Sequence, residues 1–206
     1  MKRDMSKYEK VRGSLDTGDI VLFSGTGFIS RMIQTFSRSI WSHVGMVIKS
    51  VDWDMILLWE STTLSKIKDI ESREQTQGVQ LVPLSERVKC YANDKVAFRI
   101  LEGVRRDENM REVLRKFRQD MKGREYEKSK FELLKAAYDG PFGANEEDLS
   151  SIFCSELVAE AYQRMGLLMD NEEMEGYVPS NEWTPGDFAD WTNLQNDARL
   201  GNLIYV

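Results

Sequence analysis

Histidine is almost missing from this 206-residue chain, which carries one, His43. Cysteine is nearly as scarce, with Cys90 and Cys154 alone. These shortages exclude a zinc site of ordinary design, because one imidazole and two scattered thiols match no ligand spacing. They also argue against a disulfide framework. Basic charge is in deficit: 28 Lys and Arg stand against 34 Asp and Glu, for a net charge of −6, so no nucleic-acid partner is expected. The densest basic stretch, "VRRDENMREVLRKFRQDMKGR", interleaves acids with its Arg and Lys and reads as a solvated helix face. No run approaches the roughly 18 apolar residues that a spanning helix needs. The N-terminal "MKRDMSKYEKVRG" has no apolar stretch behind its basic residues, so neither secretory signal nor anchor is expected there. With so few cysteines, a reducing, cytoplasmic setting is the expectation. No cofactor is expected either, since the Gly25-Thr26-Gly27 turn has neither the Lys-Ser/Thr ending of a P-loop nor the spacing of a dinucleotide fingerprint.

What is present is a globular balance of 41% hydrophobic and 30% charged residues, enough for one domain with a real core. We place that domain at residues 15–206, behind a basic tail at 1–14 compatible with transient contact at an anionic membrane surface. Ile20 to Phe23 reads as a buried strand, and "FISRMIQTFSRS" as an amphipathic helix. "SHVGMVIK", "MILLWEST", "VQLVPL" and "KVAFRIL" read as strands, with a short helix "LSERVKCY" in which Cys90 is expected to pack. A charged helix over 107–121 follows, then a loop-rich aromatic segment "GYVPSNEWTPGDFADW" and a terminal strand "NLIYV". The sum is an α+β fold, a mostly antiparallel sheet flanked by helices.

"DLSSIFCSELVAEAYQRMG" carries the chemistry. Leu157, Val158, Ala161, Tyr162 and Met165 fall at helical spacing from Cys154, which puts the thiol on the buried stripe, where a free cysteine is ordinarily a small core residue. The other coordinate points elsewhere. Ser150 or Ser151 can cap the helix, which sets Cys154 in its first turn, where unpaired N–H groups and the positive dipole end favour a thiolate. A nucleophile needs a base, and here only His43 can be one.

If "SHVGMVIK" and "MILLWEST" pair across Ser50 to Trp53, Lys49 faces Asp54 and His43 stands opposite Glu60. Directly opposed side chains have Cβ atoms about 4.5 to 5.5 Å apart, so Glu60 can orient the imidazole. Asp19, at the start of the first strand, is the rival orienter, with turn capping as its plain alternative.

"GDIVLFSGTGFISRMIQTFSRSIWSHVGMVI", "LLWEST", "MKGREYE" and "FCSELVAEAYQRMGLL" together resemble the circularly permuted papain-like group of the NlpC superfamily, the YiiX/YebB-like proteins, over roughly residues 15–190. That resemblance implies a papain-like fold with the His-bearing sheet ahead of the Cys-bearing helix. It implies a thiol hydrolase of amide or ester bonds, with Cys154 as nucleophile, His43 as base and Glu60 as polar orienter. Peptide-like amides, including isopeptides and peptidoglycan-type bonds, lead the substrate classes. An acyl-bearing lipid is second, by analogy with the lecithin retinol acyltransferase-like branch, and a silent binding module is the non-enzyme reading. Trp41 and Tyr177 are the candidates to line a substrate cleft together with Asp19, packing being the plain alternative for the two aromatics.

Overall fold

The computed structural model describes residues 4–50, 52–62, 66–91, 95–123, 154–173 and 175–206. Its centre is a six-stranded sheet. In chain order the strands are β1 (Ile20–Ser24), β2 (His43–Lys49), β3 (Ile56–Thr62), β4 (Gly78–Pro83), β5 (Lys95–Arg99) and, after a two-stranded ribbon of β6 (Leu101–Glu102) and β7 (Arg199–Leu200), β8 (Ile204–Tyr205). The spatial order is β4-β3-β2-β1-β5-β8, and every neighbouring pair is antiparallel.

The central strands are buried on both faces, which is why they read as continuous apolar runs rather than alternating ones. The period of two still sorts their side chains. Ile20, Leu22, Val44, Met46, Ile48, Leu57 and Trp59 join one core. Val21, Phe23, Val47, Leu58, Val82, Val96 and Phe98 join the other. Helices α4 (Glu108–Met121) and α5 (Cys154–Arg164) cover the first face through Leu114, Phe117, Leu157, Val158 and Tyr162. Helices α1 (Ser6–Arg12) and α3 (Leu84–Cys90) cover the second through Tyr8, Leu84 and Val88, and α2 (Phe28–Phe36) joins β1 to β2. Each large apolar side chain so buried contributes about 1.5–3 kcal/mol.

Several expectations need correction. The N-terminal segment is not simply a tail: α1 folds, and Tyr8 is buried with its ring 6.2 Å from that of Phe98. Cys90 is exposed rather than packed. "KVAFRIL" breaks at Ile100, whose carbonyl accepts from Gly201, so β5 and β6 enter different sheets. The aromatic segment after α5 is more regular than a loop. It contains a 3-10 turn (Ser180–Glu182) and α6 (Pro185–Asp190), whose start is a capping box between Thr184 and Asp187 with proline at the first helical position. That Thr-Pro-x-Asp signal stands in the sequence itself. Helix α4 begins one residue later than expected, and Asp107 caps it by accepting from the Met110 N–H.

Candidate active site

His43 opens β2, at the end of the strand where both flanking layers can reach it. Its ring is buried, 5.6 Å from that of Phe23, which pairs with it across the ladder. On the far side of β2 lies β3, and there the observed register differs from the expected one by two residues. Met46 pairs with Trp59 and Lys49 with Ile56, so the ladder continued sets Gly45, not His43, level with Glu60. A shift of two keeps every side chain on its face. Glu60 is therefore a diagonal neighbour of His43, and the contact forms: Nε2 donates to Oε2 at 2.6 Å.

Gly45 packs closely against β3. A methyl group there would sit 2.8 Å from Leu58 Cδ1, 3.1 Å from the Trp59 carbonyl oxygen and 3.2 Å from Glu60 Cβ, so any side chain would push its neighbours aside. Glycine in a strand interior costs packing and often marks such a close approach.

The second carboxylate oxygen of Glu60 is held from the α3 layer. Arg87 donates to Oε1 through Nε at 2.7 Å and Nη2 at 2.6 Å. Gln80, which pairs with Glu60 across β3 and β4, lies 3.5 Å from the same oxygen through Nε2. Glu60 and Arg87 are both fully buried. Burial alone would push the Glu60 carboxyl up; the Arg87 charge, then the His43 hydrogen bond, more than offset it and hold the group below its ordinary value.

Cys154 is the first described residue of α5 and is buried in the core on the opposite face of the sheet. Of the groups that raise the His43 pKa, it is the one that acts most strongly. Burial works against the imidazolium, but the Cys154 charge and hydrogen bond, with Glu60 behind them, carry His43 from 6.5 to about 9. With Nε2 committed to Glu60, Nδ1 is the ring nitrogen left for the sulfur. The imidazole is thus tied to Glu60 and the α3 side by one nitrogen, with Cys154 at the start of described α5 the strongest influence raising its pKa. That end of the helix is fixed by its neighbour: Ser155 is buried and donates to the Trp183 carbonyl in the loop before α6.

The other candidates lie elsewhere. Asp19 precedes β1 at the end remote from His43, fully buried. Its carboxylate accepts from the Asp16 and Leu101 N–H groups and from Arg106, so its hydrogen bonds go to the turn before β1 rather than to His43. Trp41 is buried in the core, and its ring stacks on that of Tyr205 at 6.0 Å. Tyr177 is half-buried in the loop that Gln163 holds through the Val178 carbonyl. Ser150 and Ser151, the expected caps, lie outside the described residues.

Sequence reasoning missed Arg87 and Gly45. The signals were an arginine on the Leu84/Val88 stripe of a short amphipathic helix and a glycine inside an apolar strand. Among the described residues there is no group of three or more His, Cys, Asp or Glu that could hold a metal, and no helix long and apolar enough to cross a membrane.

No curated protein matches the chain. Among solved structures it is similar to the crystal structure of the metalloprotein yiiX from Escherichia coli O157:H7, at 21% identity and a TM-score of 0.48. That likeness covers 73% of this chain and 66% of the other, so the chain spans just under two thirds of that relative's length. The family model described as "Permuted papain-like amidase enzyme, YaeF/YiiX, C92 family" matches residues 14–181. The chain belongs to the permuted papain-like amidase family, YaeF/YiiX, C92.

Proposed function

We propose that the chain is a cysteine hydrolase of amide bonds in which Cys154 is the nucleophile, His43 the general base and acid, and Glu60 the group that orients the imidazole. His43 Nδ1 takes the thiol proton and the sulfur adds to the substrate carbonyl carbon. The oxyanion meets backbone N–H groups at the Cys154 end of α5, the Cys154 N–H among them. The C–N bond breaks as His43 returns its proton to the leaving amine, leaving an acyl-thioester. Water, deprotonated by the same imidazole, hydrolyses that thioester and restores the thiol. The substrate class is peptide-like: a peptide, an isopeptide or a peptidoglycan-type amide.

One observation carries this reading: the sole histidine donates through Nε2 to a buried carboxylate, while Cys154 is the group that most raises its pKa. In papain-like chemistry that division of labour fixes the tautomer and leaves one nitrogen free for proton transfer.

The test is alkylation by iodoacetamide near pH 6, read by intact mass in a Cys90→Ser protein, since exposed Cys90 would otherwise consume reagent. Cys154 is expected to react readily and His43→Ala to slow it about tenfold or more. Slow labelling that ignores His43 would instead indicate a silent binding module. Incubation with cell lysate then reports the donated group as a mass increment on Cys154. A peptide-like increment supports the amide reading, and a fatty-acyl increment overturns it in favour of lipid chemistry.

A further inference from the structure

The triad proposed above leaves one buried charge unexplained. Arg87 is fully buried on α3, and both its Nε and Nη2 converge on Oε1 of Glu60. A surface ion pair would be cheap and weak, but burying a guanidinium is costly unless the arrangement returns something specific. What this one returns is an allocation of oxygens. With two N–H groups on Oε1, the carboxylate cannot rotate freely, and Oε2 has His43 Nε2 at 2.6 Å. Without a neighbouring cation, a carboxyl this deeply buried would be driven toward its neutral form and could no longer balance an imidazolium.

We propose that Arg87 is a positioning residue of the catalytic centre, acting through Glu60: it keeps that carboxylate ionised and aimed, so that Glu60 can hold His43 in the orientation proton transfer from Cys154 requires. Arg87 touches no reacting atom. Its effect passes through two side chains, and the inference rests on the Cys154–His43 reading.

The experiment uses full-length Cys90→Ser protein carrying Arg87→Met, Arg87→Lys, Glu60→Gln, His43→Ala or the pair Glu60→Gln/Arg87→Met. Two quantities are read: the NMR titration of the single histidine and the rate of Cys154 alkylation by iodoacetamide near pH 6. In folded Arg87→Met the histidine midpoint is expected to fall by roughly one unit and the rate by about tenfold. Adding Arg87→Met to Glu60→Gln is expected to change neither further, because the route through Glu60 is already closed. Arg87→Lys keeps a cation but cannot place two N–H groups on Oε1, so intermediate values are expected. Should Arg87→Met fail to fold, Arg87→Lys and the pair, which carries no buried charge from either residue, decide the matter. The inference is overturned if the histidine midpoint and rate in Arg87→Lys or Arg87→Met stay within error of the parent, or if Arg87→Met acts equally with Glu60 already replaced. Those outcomes leave the catalytic reading intact, since they do not touch the dependence of Cys154 alkylation on His43.

Discussion

Gly45 stands across the β2–β3 ladder from Glu60, where a methyl group would sit 3.2 Å from the Cβ of the residue whose carboxylate meets His43 at 2.6 Å. Gly45→Val is expected to destabilise the fold by about 1–3 kcal/mol through overpacking against Leu58. It is also expected to break the His43–Glu60 contact. Denaturant unfolding measures the first effect. The second appears as a lowered histidine midpoint in the folded protein, which a purely packing role for Gly45 would not produce.

A single histidine makes the pH behaviour of the centre directly readable. One imidazole resonance should titrate, with a midpoint of about 9. Cys154 supplies the largest influences that raise it, while burial lowers it. Cys154→Ala therefore drops the midpoint well below that of the parent, and an unmoved midpoint would show that thiol and ring do not interact.

Glu60→Gln leaves the Arg87 charge buried without its carboxylate, which costs on the order of 3–5 kcal/mol near neutral pH. Pairing it with Arg87→Met should recover a large share of that loss in urea unfolding, without restoring Cys154 reactivity. The acid dependence has a definite sign. The folded carboxyl lies below its ordinary 4.5, so its contribution is complete above that value and is lost as pH falls through the folded one. Urea midpoints measured from neutral pH downward should decline less steeply in Glu60→Gln than in the parent over that acid range.

Arg99 stitches the C-terminal segment to β5. Its guanidinium donates to the carbonyls of Phe188, Ala189, Trp191, Leu200 and Gly201, at 2.6 to 3.0 Å. Arg99→Met would strand several of these acceptors away from water and is expected to cost about 3 kcal/mol. Limited proteolysis should then cut first between residues 188 and 201, whereas cleavage spread evenly over the chain would argue against a local role for Arg99.

Local patterning carried much of this architecture. The apolar runs located β1 to β5, the helical stripes located α3, α4 and α5, and the scarcity of imidazole singled out His43 for Cys154. Even a misplaced hairpin register left Glu60 on the correct face, because an error of two residues is one full period of a strand. The reading faltered where a residue's value comes from a distant partner. Asp19 and Glu60 look alike as acids beside strands, and only packing shows one spent on the Leu101 N–H and Arg106 and the other on His43 and Arg87. Tyr8 looks like part of a basic tail until Phe98 is beside it.

The sequence by itself determined which segments pair with water and which avoid it, since that follows from side-chain hydrophobicity at a spacing of two or 3.6 residues. It also determined which side chains are able to donate, accept or attack. Tertiary structure decided which of them meet. A carboxylate, an imidazole, a thiol and a guanidinium from four elements converge only because two helical layers close over opposite faces of one sheet, and the energy of each buried charge depends on what that closure leaves within reach.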